Sequence, residues 1–143
     1  MRDRIPFFKM SGSGNDFILI DNRQGVVQDD ILDQLIVGAC RRRMSAGADG
    51  LILVEESAQA DFRWRFYNAD GSRAEMCGNG ARCAARFAYL NGIAGAKLSF
   101  ETDVGRISAE IITRVKEMGM AGILISTVGW EERIPQILDE AKL

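Results

Sequence analysis

The sequence has 143 residues, of which 47% are apolar and 27% are charged, and its net charge is −2. These values are typical of a single globular domain and exclude an intrinsically disordered chain. Proteins that bind nucleic acid or an anionic membrane normally carry a basic stripe, and the near-neutral charge argues against such a partner. The only basic run, 41–43, is interpreted as charge at the end of a helix.

The first half of the sequence predicts four strands and one helix. In chain order they are strands at 5–10 and 17–21, a helix at about 31–43, and strands at 51–55 and 62–67. The small and polar residues 11–16 predict a turn between the first two strands. The helix has apolar residues at i, i+3, i+4 and i+7, which are Leu32, Leu35, Ile36 and Ala39, and Asp29 or Asp30 is its predicted cap. The last strand alternates Phe62, Trp64 and Phe66 with Arg63, Arg65 and Tyr67, which is the pattern of a half-buried strand.

The second half predicts an alanine-rich helix after Cys77 that stops at Asn91-Gly92, followed by strands at 97–101 and 106–112. We therefore expect a strand-rich domain, residues 1–112, wrapped around one or two helices. The segment 113–143 has a different character and is interpreted as a tail of unclear origin. A strand at 123–127 and a short helix near 134–141 are predicted within it.

Cys77 is the strongest candidate for a catalytic residue. It directly precedes the run Gly78-Asn79-Gly80, at a predicted helix start, where free N–H groups and the helix dipole favour a thiolate and a bound carboxylate. The sequence contains no histidine, so proton transfer near neutral pH falls to cysteine, a carboxylate, lysine or tyrosine. The alternative for Cys77 is a buried apolar residue, and this is our interpretation of Cys40 and Cys83.

The cysteine content also bears on metal binding and on the cellular compartment. Three cysteines, an odd number, predict a reducing cytoplasm and no disulfide framework. Residues 1–10 do not resemble a signal peptide, and no apolar stretch approaches the ~20 residues that span a bilayer. Without histidine, and with Cys77 and Cys83 separated by five residues, a zinc site is not expected.

Polar residues near the predicted turns are weaker candidates. Asn15 and Asn68 are each expected in a loop after a strand, where the amide could bind a polar substrate or simply its own turn. Asp49 and Asp70 are explained by turn formation, because each precedes a glycine. Arg82 and Arg86 are four residues apart and are interpreted as a solvated helix face. Glu75 is near enough to Cys77 in sequence to be considered as a base.

Four sequence blocks, in this order, resemble the N-terminal half of diaminopimelate epimerase. They are Lys9–Phe17 (KMSGSGNDF), Gly47–Leu51 (GADGL), Phe66–Ser72 (FYNADGS) and Cys77–Cys83 (CGNGARC), and the resemblance extends over about residues 5–110. It implies the α+β fold of one lobe of that family, a barrel-like sheet of strands around a central helix. It also implies interconversion of L,L- and meso-diaminopimelate, a step towards lysine and peptidoglycan, without pyridoxal phosphate or a metal.

The same resemblance assigns residues to roles. Two cysteines of the family face the α-carbon from opposite sides, and Cys77 corresponds to the one on the N-terminal lobe. Asn15, Asn68, Gly78 and Asn79 correspond to substrate-binding positions. Some members have a substrate-contacting glutamine where this sequence has Gly50, so that contact is absent here.

The resemblance covers one lobe of a two-lobed family, and residues 113–143 do not resemble the start of the second lobe. We therefore expect one half of a two-cysteine site, completed either by a twofold homodimer or by a separate lobe. Two alternatives remain open at this point. One is a non-catalytic half-domain that folds, binds amino acids or associates with a partner. The other is a related isomerase with a different substrate, such as a proline racemase.

Overall fold

The structure is a computed structural model, and it describes residues 4–112 and 123–127. These residues form seven strands and two helices: β1 (Phe8–Gly12), β2 (Asn15–Asp21), α1 (Asp29–Cys40), β3 (Gly50–Glu55), β4 (Phe62–Asn68), α2 (Gly78–Leu90), β5 (Lys97–Thr102), β6 (Gly105–Ile112) and β7 (Ile123–Thr127). All seven strands belong to one sheet, in which their spatial order equals their order in the chain. The predicted α+β class is confirmed. Neither helix has the length and apolar character needed to cross a membrane.

The two helices lie on opposite faces of the sheet because of the way the chain crosses it. β2 and β3 are parallel and are joined through α1, whereas β4 and β5 are parallel and are joined through α2. The second pair runs antiparallel to the first, because β3 and β4 pair antiparallel. Both connections advance across the sheet in the same direction, so two right-handed crossovers place their helices on opposite faces.

The face that carries α2 holds the larger core. The core residues contributed by α2 are mainly small, which allows the helix axis to lie close to the strands: Ala81, Cys83, Ala84, Ala85, Phe87 and Ala88. The strands supply most of the aromatic volume, from Phe17, Phe62, Trp64, Phe66 and Phe100. The helix contacts β1 and β2 near one edge of the sheet and β6 and β7 at the opposite edge, so the sheet curls around it. The predicted sheet around a central helix is therefore confirmed.

The opposite face is covered by α1, through the stripe that its sequence predicts. Leu32 and Ile36 are buried, and Leu35 and Ala39 are partly buried against the same cluster. Tyr67 also belongs to this cluster, with only 6% of its surface exposed. The alternation along β4 predicts that Tyr67 is exposed on the same face as Arg63 and Arg65. This prediction is wrong at Tyr67, because α1 covers that end of the strand.

The turn between the first two strands is shorter than predicted. Residues 11–16 were expected to form it, but Gly12 pairs with Asn15 and only Ser13 and Gly14 lie between them. Both turn residues have positive φ, 53° for Ser13 and 90° for Gly14, as the tight two-residue turns of β-hairpins require. As a result Asn15 lies in β2, and the prediction that it follows a strand in a loop is wrong.

The first helix ends three residues earlier than its predicted limit at 43. Its N-cap is Gln28, without a side-chain capping bond, and Asp29 and Asp30 lie in its first turn, so neither aspartate is the cap. After Cys40 the chain turns, and the amide of Gly47 donates to the carbonyl of Ala39 at 2.9 Å. Arg41 is the C-cap of α1, so the arginines at 41–43 lie at the end of the helix as interpreted, although the helix itself stops before them.

The segment 113–143 is described only at 123–127, where the predicted strand is present as β7. It pairs antiparallel with β6 and extends the sheet at that edge. The helix predicted near 134–141 lies outside the described residues. The division of the chain at residue 112 stays a prediction.

Candidate functional site

Several of the candidate residues lie where β2 and β3 begin and where β4 ends. β2 begins at Asn15 and β3 begins at Gly50, and these strands are parallel. β4 runs the other way and ends at Asn68, which pairs with Gly50. Because β4 ends beside the starts of β2 and β3, the short connection that follows β4 brings the start of α2 to the same place. Gly12 is also here, opposite Asn15.

Cys77 is the N-cap residue of α2. Its backbone is extended, with φ −146° and ψ 118°, and its carbonyl accepts the first helical hydrogen bond from the Ala81 amide at 2.8 Å. The thiol makes no capping bond, so it leaves the first N–H groups of the helix available to a ligand. The side chain is half-buried and partly packed against the α2 core. The sulfur thus combines a helix tip with partial access to solvent.

The other two cysteines are in different environments. Cys40 and Cys83 are each 3% exposed, and burial raises the pKa of each thiol to about 11. Both lie in helices with apolar neighbours, as predicted. They are therefore protonated near neutral pH and shielded from reagents.

We expect a thiol reagent to distinguish the three cysteines. Iodoacetamide at about pH 8 should alkylate Cys77 in the folded protein but not Cys40 or Cys83. The thiols of Cys40 and Cys83 have a pKa near 11, so each is ionised in only about one molecule in a thousand at that pH. Peptide mass spectrometry after a brief exposure measures the modification of each site. The same treatment in denaturant is the control and should modify all three cysteines. Equal labelling of Cys83 and Cys77 in the folded protein would contradict the described burial.

Asn79 joins the start of α2 to the β1–β2 hairpin. Its Nδ2 donates to Oδ1 of Asn15 at 2.6 Å, across 64 residues of sequence. Asn15 in turn donates from Nδ2 to Oδ2 of Asp49 at 3.2 Å. Two of the sequence-predicted binding residues, Asn15 and Asn79, are thus in direct contact, and Asn79 is two residues after Cys77 in the chain.

Three glycines determine how closely the backbone approaches this site. A Cβ at Gly12 would lie 2.8 Å from the carbonyl oxygen of Asn79 and 3.2 Å from the sulfur of Cys83, so only glycine lets the hairpin reach α2. A Cβ at Gly80 would lie 3.4 Å from Cδ1 of Ile52 and 3.6 Å from Trp64, an ordinary contact distance, so the first turn of α2 lies close to the sheet. Around Gly78 a Cβ would meet nothing within 4 Å, so the backbone there faces open space.

Asn68 is less closely associated with the other candidates. Alternation along β4 places it on the same face as Phe66, the face of α2, and its side chain is exposed. Its Nδ2 donates to Oγ of Ser72 at 3.0 Å, and its backbone amide donates to the Ser72 carbonyl at 2.8 Å. Its amide group therefore supports the turn that follows, which is one of the two interpretations of the sequence. Asn68 is itself the last residue of β4, so the prediction that it lies in a loop after the strand is wrong.

Charged side chains hold the adjoining ends of β2 and β3 together. Arg42 donates to both carboxylate oxygens of Asp16, at 2.6 and 3.1 Å, and to Asp49 at 2.9 Å. Lys9 lies 3.1 Å from Asp16. The guanidinium of Arg42, assisted by Lys9, holds the pKa of the Asp16 carboxyl well below its usual range. Asp16 is therefore ionised throughout the physiological range.

We expect Asp16→Asn to destabilise the fold in a pH-dependent way. Because the pKa of Asp16 is lowered by folding, its contribution is present above the unfolded pKa near 4 and is lost as the pH falls towards the folded pKa. Urea unfolding should show a loss of about 1–2 kcal/mol near pH 7. The loss should shrink below about pH 4. Asp33→Asn, at an exposed position of α1, is the control. A loss that is the same at both pH values would contradict this assignment.

Two residues of the site were not identified as such from the sequence. Asp49 was interpreted as a turn residue, but its carboxylate accepts hydrogen bonds from Asn15, Arg42 and the backbone amide of Asp16. Arg82 was interpreted as part of a solvated face, but it is half-buried and donates to Oγ of Ser13 at 2.7 Å and to Oδ1 of Asn79. Local sequence carries no sign of the contacts with Asn15, Asp16 and Ser13, because these partners are distant in the chain. Arg86 is exposed, as predicted, and so is Glu75.

Most of the chain matches the sequence model of one protein family. The pattern of diaminopimelate epimerase matches residues 7–123. The chain belongs to the diaminopimelate epimerase family. The predicted resemblance is thereby confirmed, and the match extends beyond residue 110 into β7.

Individual members of the diaminopimelate epimerase family are similar over the same region. The chain is 47% identical to the diaminopimelate epimerase of Aquifex aeolicus over 119 residues, and 49% identical to that of a Hydrogenobaculum species over 112 residues. These alignments cover 75% and 73% of this chain but 41% and 40% of the relatives. The chain thus spans about two fifths of the length of these relatives.

Solved structures show the same fold at low sequence identity. A probable proline racemase from Agrobacterium radiobacter superimposes with a TM-score of 0.62 at 14% identity, over 78% of this chain and 38% of that chain. Identity this low supports the shared fold alone. It therefore does not favour a proline substrate over diaminopimelate.

Gly50 is the position at which the resemblance predicts the absence of a substrate-contacting glutamine. A Cβ at Gly50 would lie 2.6 Å from the carbonyl oxygen of Tyr67 and 2.8 Å from Cε2 of Phe66. Any side chain here would require β3 and β4 to shift. The packing therefore agrees with the absence of a glutamine at this position.

Proposed function

We propose that this chain is a cofactor-independent amino-acid epimerase lobe that acts on diaminopimelate and interconverts its L,L and meso forms. The single observation that carries the proposal is Cys77, a half-buried residue at the N-terminus of α2 in a chain of the diaminopimelate epimerase family. Such a protein would act in the cytoplasm, on the route to lysine and peptidoglycan.

In the proposed reaction Cys77 exchanges a proton with the α-carbon. As a thiolate it removes the α-proton and becomes a thiol, and the electron pair of the broken C–H bond delocalises into the substrate carboxylate. A second thiol on the opposite face then donates its proton to the carbon and becomes a thiolate. The configuration is inverted, the two sulfurs have exchanged protonation states, and no external oxidant or reductant is consumed.

The charge that develops on the carboxylate requires donors that are already in place. The open backbone at Gly78 and the first N–H groups of α2 are suited to this role. The amides of Asn15 and Asn79 lie beside them, and we propose that both bind the amino-carboxylate centre. Asn68 is proposed to bind substrate from the end of β4, through the N–H of Nδ2 or the Oδ1 that the bond to Ser72 leaves available.

Inversion needs a second cysteine that this chain does not offer from within the lobe. The chain has three cysteines, and both Cys40 and Cys83 are buried. We therefore propose that a second lobe supplies the opposing thiol, either from a second copy of this chain in a twofold dimer or from a separate lobe. A symmetric dimer would select poorly for the distal end of diaminopimelate, because the two halves of its pocket are identical.

The test is α-proton exchange. The chain is incubated with L,L-diaminopimelate in D2O, and NMR follows both the loss of the α-proton signal and the appearance of the meso form. Exchange with inversion supports a complete two-cysteine site, and exchange without inversion supports a working half-site. The absence of both, in a protein that is folded by circular dichroism, would overturn the proposal.

A second candidate function is a non-catalytic half-domain that binds amino acids or a partner lobe. It is favoured by the single accessible cysteine and by the engagement of the Asn68 amide in its own turn. Sedimentation distinguishes it from the homodimer. A monomer that does not exchange the α-proton would support the half-domain, whereas a dimer that produces the meso form would exclude it.

A further inference from the structure

Four side chains form a continuous chain of hydrogen bonds beside Cys77, which we call the amide relay. Arg82 donates from Nη2 to Oδ1 of Asn79, and Asn79 donates from Nδ2 to Oδ1 of Asn15 at 2.6 Å. Asn15 donates from Nδ2 to Oδ2 of Asp49 at 3.2 Å. The relay connects the first turn of α2, the start of β2 and the residue preceding β3.

The two ends of the amide relay determine the orientation of the amides between them. A guanidinium can only donate hydrogen bonds, and an ionised carboxylate can only accept them. Turning either asparagine amide by 180° would place NH2 against the guanidinium or oxygen against oxygen. Only the observed arrangement keeps all three bonds, so each amide has one orientation.

Both ends of the relay are themselves held in place. The Oδ1 of Asp49 accepts from Arg42 at 2.9 Å, while its Oδ2 accepts from the backbone amide of Asp16 at 3.1 Å as well as from Asn15. Arg82 also donates to Ser13 in the hairpin turn at 2.7 Å. Neither end can rotate freely without breaking a second contact.

Each relay amide has a donor left over. An asparagine Nδ2 has two N–H groups, and within residues 4–112 and 123–127 each relay amide uses one of them. The remaining N–H of Asn15 and that of Asn79 are thus available near the tip of α2. Two fixed donors at this place suit a carboxylate, which accepts several hydrogen bonds.

We propose that Asp49 and Arg82 are positioning residues that orient the amide donors of Asn15 and Asn79 towards the carboxylate of an amino-acid substrate. Neither residue needs to touch the substrate. The identity of the ligand rests on the proposed function, whereas the coupling along the amide relay does not. The two parts can therefore fail separately.

The test of the coupling uses Asp49→Asn in the full chain. Asparagine has nearly the shape of aspartate but can also donate, so the acceptor-only end of the relay is lost. Side-chain NH2 signals in an 15N-labelled protein should shift for Asn15 and also for Asn79, which does not contact Asp49. The control is Asp21→Asn, which breaks the Asp21–Arg23 ion pair outside the relay and should leave both signals in place.

A shift at Asn15 without one at Asn79 would overturn the coupling. If Asp49→Asn does not fold, Arg82→Gln tests the relay from its other end. Glutamine can accept as well as donate, and the signals of Asn15 should then move although Arg82 does not contact it. An unmoved Asn15 signal in that variant would also overturn the coupling.

The test of the positioning role is binding, which does not require turnover. Addition of L,L-diaminopimelate should shift the Asn15 and Asn79 side-chain signals, and Asp49→Asn should weaken the fitted affinity about tenfold relative to Asp21→Asn. Unchanged affinity in Asp49→Asn would overturn the positioning role. Binding without α-proton exchange would leave the positioning role supported while the proposed catalytic function failed.

Discussion

Replacement of Cys77 by alanine is expected to reduce α-proton exchange of L,L-diaminopimelate by a factor on the order of 10²–10⁴, the usual contribution of a general acid or base. The physical reason is that Cys77 is the one cysteine of the chain that combines solvent access with a helix N-terminus. NMR in D2O measures the exchange rate directly. The substitution removes the proton acceptor from the proposed reaction and leaves the helix backbone unchanged.

Two matched variants separate the chemistry of Cys77 from its packing, since the side chain also contacts the α2 core. Cys77→Ser keeps nearly the same volume but replaces the thiol with a hydroxyl that ionises much less readily, so it should lose exchange as alanine does. Cys40→Ala removes a buried thiol on the opposite face of the sheet and should retain exchange. Exchange at the wild-type rate in Cys77→Ala would exclude the proposed role of this cysteine.

Gly12→Ala is expected to cost stability and to separate the hairpin from α2. The new Cβ would lie 2.8 Å from the backbone carbonyl oxygen of Asn79, and a backbone atom at the start of a packed helix cannot move aside cheaply. We expect a loss of about 1–3 kcal/mol in the free energy of unfolding, as is typical of overpacking. The contact between Asn15 and Asn79 should lengthen, and exchange should fall with it.

The control for this variant is Gly38→Ala on the exposed side of α1. A Cβ at Gly38 would meet nothing within 4 Å, and alanine is the better helix former, so this variant should be stabilised by about 0.5–1 kcal/mol. Urea unfolding of both proteins measures the two effects. A Gly12→Ala protein as stable as wild type would show that the hairpin and α2 are not in close contact.

Elements with a strong local signal were predicted well. The alternation of Phe62, Trp64 and Phe66 predicted β4, and the alanine-rich run after Cys77, closed by Asn91-Gly92, predicted α2. The errors concern positions where local signals were ambiguous. The small residues at 11–16 are compatible with a long turn or with a two-residue hairpin, and pairing with β1 extends β2 back to Asn15, whereas its pairing with β3 begins at Phe17.

The side-chain contacts of the site could not be predicted, because they join residues that are far apart in the chain. Asn15 and Asn79 are 64 residues apart, and Asp49 meets Asn15 across 34. A local pattern explained Asp49 as a turn residue and Arg82 as a surface charge. Their actual partners depend on the fold, which brings the starts of β2 and β3, the end of β4 and the start of α2 together.

The family, the position of Cys77 before a helix and the candidate binding residues were all evident in the sequence, because a thiol next to glycines at a helix start is a local arrangement. Tertiary structure alone decided that Cys40 and Cys83 are inaccessible and that Gly12 allows the hairpin to reach α2. It also decided that two asparagine amides are oriented between a guanidinium and a carboxylate. These properties arise from crossovers that place α1 and α2 on opposite faces of a curled sheet, and from the packing that follows.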